Sequence, residues 1–236
     1  MSKEINLSVP SEQSSIPLKN YQKYVKLIQD NGEDINDEFL STKILEIFCG
    51  VTLKEAYSIP VKELEFIVSH VLTLLNEKTK LQHRFTMTDV KGKTLEFGFI
   101  PNIDEMSLGE YIDLEKYISD WKDMHKALAV MYRPIIKGNK DFYDIEGYEG
   151  SDKYSEIMQD APVTVALGSM VFFYHLGKDL LKTTIHSLAE EAKEALQQEG
   201  HKHSQQNGDG INQSMRSLQE MSESLKKSLN SIYINV

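Results

Sequence analysis

Histidine brings this chain closest to a chemical constellation, because a neutral imidazole ligates transition metals and titrates near neutral pH. His201 and His203 stand one residue apart, a spacing that can put two imidazoles on one ion. They sit in the polar run His201-Lys-His-Ser-Gln-Gln-Asn-Gly-Asp-Gly210, with no cysteine near, so an incidental polar pair is expected. His175 and His186 share a helix face but lie about 16 Å apart along the axis, too far to hold one ion. His125 follows Asp123 and Met124 at an amphipathic edge, with no partner for general-base work legible nearby. Asp141-Phe-Tyr-Asp-Ile-Glu-Gly147 has the look of a calcium loop. Setting Gly147 on that loop's glycine puts Phe142 at the first ligand position and Lys153 at the last, so the match fails. Cys49 closes the run Ile44-Leu-Glu-Ile-Phe-Cys and reads as a small buried hydrophobe, without the basic neighbours of a reactive thiol. The chain contains no Gly-x-x-x-x-Gly-Lys, no Gly-x-Ser-x-Gly and no His-Glu-x-x-His. No catalytic, cofactor-binding or metal-binding residue is therefore expected, and the chain is read as a non-enzyme.

The totals point the same way. The 236 residues suffice for one sizeable domain or two small ones, and 40% hydrophobic with 26% charged is ordinary globular composition. A single cysteine excludes an intrachain disulfide framework. The net charge of −10 repels phosphate backbones, so no nucleic-acid partner is expected. The acids fall in patches, residues 30–46, 104–123 and 141–160, which read as a solvated surface or as a face that attracts a basic partner. Residues 1–20 are polar and lack the apolar core of a secretory signal. The apolar run from Val163 to Tyr174 is too short to cross a bilayer, so no membrane association is expected.

The elements that must carry any function are mostly helical. Lys3 to Val9 alternates like a short strand. Tyr21, Tyr24, Val25 and Ile28 recur at helical spacing before Asn31-Gly32. A second helix runs from about Asn36 to Cys49, with Phe39, Leu40, Ile44, Ile47 and Phe48 inward. Thr52 caps a short helix, and Pro60 opens another with its stripe from Leu64 to Leu75. Phe85–Val90 and Thr94–Ile100 flank Lys91-Gly92 as a β-hairpin. Ser107 and Glu110 form a capping box for a helix with Leu108, Tyr111, Ile112, Leu114 and Ile118 as its apolar positions. Trp121, Met124, Leu128 and Met131 point inward from the next helix, which Pro134 ends. Residues 137–160 read as irregular, with one short strand near Phe142 to Ile145. The expected class is mainly α with a small antiparallel β-hairpin, an α+β chain.

Four segments follow from this. Residues 1–160 form a helical domain with its hairpin insert near 84–100, and 161–199 a long helix, buried at its start and exposed at its end. Residues 200–210 are a flexible linker, and 211–236 an amphipathic tail helix. At ~1.5 Å per residue the helix from Pro162 to Gln198 would span on the order of 55 Å, with Gly168 and Gly177 placed to weaken or bend it. In the tail, Ile211, Met215, Leu218, Leu225, Leu229 and Ile232 lie on a coiled-coil-like seam, with Ser222 as its weak position. Such a Ser-rich helix is marginal alone and needs a surface: its own domain, a second copy of the chain, or another protein. A second candidate surface is the acidic, aromatic loop with Phe142, Tyr143 and Tyr148, which either binds a partner or folds back on the domain.

Ile16-Pro-Leu-Lys-Asn-Tyr21, Gly98-Phe-Ile-Pro-Asn102 before Met106-Ser-Leu-Gly-Glu-Tyr-Ile-Asp-Leu114, Met131-Tyr-Arg-Pro-Ile135 after His125-Lys126, and Ala166-Leu-Gly-Ser-Met-Val-Phe-Phe-Tyr174 occur in this order. The order, over residues 16–180, resembles a group of proteins of tailed bacteriophages that infect Bacteroidetes-like and marine hosts. The resemblance implies virion assembly or virion structure. Within that setting an acidic α-rich domain followed by a tethered helix is similar to a tail assembly chaperone, which holds the aggregation-prone tape measure protein before the tube forms. It implies a phage client or virion neighbour as partner, homo-oligomers as an option, no cofactor, and residence in the host cytoplasm during assembly or in the virion. The alternatives are a neck, ring or capsid-associated subunit and, third, an enzyme without a recognisable motif.

Overall fold

A computed structural model describes residues 7–32, 36–89, 92–139, 142–176 and 187. The long helix beyond 176, the linker 200–210, His186, His201, His203 and the seam from Ile211 through Met215, Leu218, Leu225 and Leu229 to Ile232 lie outside the described residues. The chain divides after Ser169 into two units.

The first unit opens with four helices, two of them started by a capping side chain. α1 (Leu18–Asn31) buries Leu18, Tyr21, Tyr24 and Val25, the expected face. α2 (Asp37–Cys49) starts at Asn36, whose side chain accepts from the Glu38 and Phe39 N–H groups at 2.8 and 3.2 Å. It buries Thr42, Ile44, Leu45, Phe48 and Cys49, so its phase leaves Phe39 outside. α3 (Leu53–Ala56) is a single turn closed by the Thr52–Glu55 capping box. α4 (Val61–Leu75) follows Pro60 and turns Val68, Val71, Leu74 and Leu75 inward.

The class is mixed, and its β part is larger than a hairpin. β1 (Arg84–Thr88) and β2 (Thr94–Phe99) pair antiparallel, Phe85 opposite Phe97. Then come α5 (Leu108–Ile118) and α6 (Met124–Met131), and the chain returns directly into β3 (Tyr132–Gly138). β3 lies antiparallel to β2, with Pro134 opposite Phe97, and β4 (Tyr143–Ile145) completes a four-stranded sheet in the order β1-β2-β3-β4. Pro134 is thus a strand residue. It sits two residues after the strand begins, and its carbonyl accepts from Glu146 N–H at 2.9 Å. The stretch read as irregular also holds α7 (Asp152–Met158), whose Tyr154 ring meets Phe97 edge-on at 5.5 Å.

The ends of this unit are tied together. Leu18 N–H donates to the Ala161 carbonyl and Val163 N–H to the Ile16 carbonyl, both at 2.8 Å, on either side of a Pro17–Pro162 bridge. A helix, α8, begins at 163 and is described through 176. Val163, Val165 and Ala166 are fully buried in it. Gly168 is needed here for closeness: a Cβ would run into the Lys80 carbonyl oxygen. In the second unit the described residues include the Phe172 and Phe173 rings, edge-on at 5.3 Å, and the Tyr174 and His175 rings at 5.6 Å. Among the described residues, no helix is long and apolar enough to cross a membrane.

Candidate interaction surface

One buried ion pair determines which side of α5 faces outward. Arg133 follows Tyr132 into β3 and is buried. A buried guanidinium requires a carboxylate, since an unpaired charge in a low dielectric is strongly disfavoured. Glu110, 23 residues earlier, supplies it: Arg133 Nη1 donates to Glu110 Oε1. The same carboxylate completes the capping box, accepting Ser107 N–H on Oε2 at 2.7 Å, while Glu110 N–H donates to Ser107 Oγ at 3.3 Å. Burial pushes the Glu110 carboxyl up, but the hydrogen bonds from Ser107 and Arg133 and the Arg133 charge outweigh it and hold the group below its ordinary range.

With Glu110 and Leu114 turned inward, helical geometry turns Leu108, Tyr111 and Ile112 outward. They are 73%, 50% and 52% exposed. Positions i, i+3 and i+4 form one face of a helix, so the three make a contiguous apolar stripe on an ordered element. The sequence reading counts them among the apolar positions of this helix; in the fold they lie opposite its packed face.

The aromatic loop after β4 holds this arrangement from the other side. Tyr148 lays its ring against the Arg133 guanidinium, 5.5 Å from the ring centre, and its hydroxyl donates to Asp113 Oδ2. Burial and the Asp113 carboxylate push its phenol well above the ordinary range. Tyr154 donates to Glu146, which also accepts from Lys153 Nζ at 3.0 Å. Tyr143 lies on β4 over Gly98, where a Cβ would strike its ring. Its hydroxyl is within hydrogen-bond distance of the Phe99 and His83 carbonyls, at 2.9 and 3.1 Å, and Arg84 stacks on it at 4.4 Å. Phe142 is 79% exposed. The three aromatic candidates of this loop therefore occupy three different settings, with Tyr143 and Tyr148 bound to their own domain.

The residues singled out for chemistry are placed as follows. Cys49 is buried, and burial pushes its thiol up to about 11, which removes thiolate character at neutral pH. His125 pairs through Nδ1 with Gln22 Nε2 at 3.2 Å; burial, then Lys126, hold its pKa below the ordinary value. Among the described residues no group of three or more His, Cys, Asp or Glu could hold a metal ion. Comparison with protein-family models, curated proteins and solved structures yields no match.

The linkage at Glu110 has a definite sign. Its folded pKa is lowered, so the stability it contributes is complete above the unfolded carboxyl value of about 4.3 and is lost as pH falls through the lower folded value. Glu110→Gln mimics the protonated state. Urea unfolding should show a gap between native chain and variant at neutral pH, and that gap should narrow as pH falls below the unfolded carboxyl value of about 4.3. A constant gap would contradict the linkage.

Proposed function

We propose that this chain is a non-enzymatic assembly protein of the tail-assembly-chaperone type, acting in the host cytoplasm on apolar helices of a tape-measure-like client. The supporting observation is the exposed stripe Leu108, Tyr111 and Ile112, held outward on a helix by a buried ion pair. A rigid apolar helix face is suited to helix-in-groove packing, in which i, i+3 and i+4 side chains anchor a partner helix. Ordered presentation matters, because a preformed face avoids the entropy cost of arranging itself on binding. The phage setting comes from the resemblance, within which Met106 to Leu114 is one of the shared segments. The same reading extends to Ile211, Met215, Leu218, Leu225, Leu229 and Ile232, expected from their spacing to be a second client-binding segment and lying outside the described residues.

Light scattering tests the role. The full chain should suppress aggregation of a synthetic leucine-striped helical polypeptide, and a Leu108→Ser, Tyr111→Ser, Ile112→Ser variant should lose most of that suppression. All three positions are exposed, so the variant should unfold at the same urea concentration as the native chain. Undiminished suppression by the folded variant would remove the support that α5 gives to this function.

A further inference from the structure

Resting on that reading, we infer that the occupant of the α5 face is a basic amphipathic helix, one whose apolar stripe is flanked by Lys or Arg. The apolar stripe alone accepts any greasy helix; its borders decide which. Asp104 and Glu105 lie exposed in the turn Ile103–Glu105 that leads into α5. Glu115, exposed, continues the outward face three and four residues beyond Ile112 and Tyr111. Lys116, exposed four residues beyond Ile112, shares the Tyr117 ring with Lys126, at 4.9 and 5.2 Å, and Lys126 is paired with Asp123, so the three carboxylates outnumber the one exposed lysine of α5. The stripe is thus bordered by carboxylates at both ends, on a chain whose net charge is −10. Carboxylates beside an apolar helix face attract cationic flanks and repel anionic ones, through longer-range forces that salt screens. Their effect is selectivity and faster encounter, added to an affinity that apolar contact supplies.

The test uses two synthetic helices with the same leucine stripe, one flanked by lysine and one by glutamate, titrated into the full chain by calorimetry. Exposed pairs are individually weak, so three of them predict about tenfold tighter binding of the lysine-flanked helix at low salt. The preference should shrink as salt is raised, and Asp104→Lys with Glu115→Lys should abolish or reverse it. Both positions are exposed, so folding should be unaffected. Equal affinity of the two helices, with both still lost in Ile112→Glu, would overturn the basic-partner inference and leave the proposed function standing. Affinities unmoved by Ile112→Glu would overturn both, since the α5 face would then not be the binding surface.

Discussion

Glu110→Ala should cost about 3–5 kcal/mol of stability, a large share of what a domain of this kind possesses. The variant takes from the buried Arg133 its hydrogen-bonded carboxylate, leaving it the Glu146 charge without that contact, and Arg133 Nε already has no hydrogen-bond partner. It also removes one half of the capping box at Ser107. Replacing both members separates these effects. Glu110→Leu with Arg133→Met buries no charge, and hydrophobic replacement of a buried pair is often neutral or stabilising. The double variant should recover most of the loss, remaining short by about 1 kcal/mol for the missing cap contact. Urea unfolding of the three chains measures this directly. An alanine variant within experimental error of the native chain would show that the pair does not hold α5 in phase.

Gly168→Val should be comparably damaging, at about 3 kcal/mol or more. On propensity alone, replacing a helical glycine helps; here the side chain meets the Lys80 carbonyl and the Leu81 backbone. Those atoms cannot yield freely. Gln82, next in the chain, is held on both sides: its carbonyl accepts from the Tyr132 hydroxyl at 2.8 Å, and its amide donates to Thr164 Oγ1 at 2.9 Å. Gly147→Ala is the matched control, because its Cβ would meet nothing within 4 Å. That control should be neutral or gain about 0.5 kcal/mol. Equal behaviour of the two variants would remove the close approach of α8 to residues 80–82 as a structural requirement.

Local features were legible in the sequence because their physics is local. The Thr52 cap, the capping box Ser107–Glu110, the hairpin around Gly92 and the inward faces of α1, α4 and α6 all follow from residues a few positions apart. The remainder depended on distant partners. Pro134 carries a helix-stop signal, yet Tyr132 and Arg133 already belong to β3, whose identity comes from pairing with β2. α7 was hidden in an aromatic and acidic stretch, where Tyr154 reaches Phe97 and Glu146. The phase of α5 was the most consequential. Three apolar residues outvote one glutamate in any periodicity count, and only Arg133 reverses that result. An arginine between the apolar run Ala127 to Tyr132 and a proline was the available signal, since a buried guanidinium demands a carboxylate somewhere in the chain.

Photo-crosslinking reads the central claim most directly. A benzophenone side chain replaces Tyr111 in one full-length chain and the similarly exposed Tyr57, on the opposite stretch of sequence after α3, in another. Each is irradiated with the lysine-flanked, leucine-striped helix. The account predicts a crosslinked product from position 111, competed away by unlabelled helix, and none from position 57. A product at 57 alone, or none at 111 while the helix still binds, would contradict the assignment of α5 as the surface this protein offers to its partner.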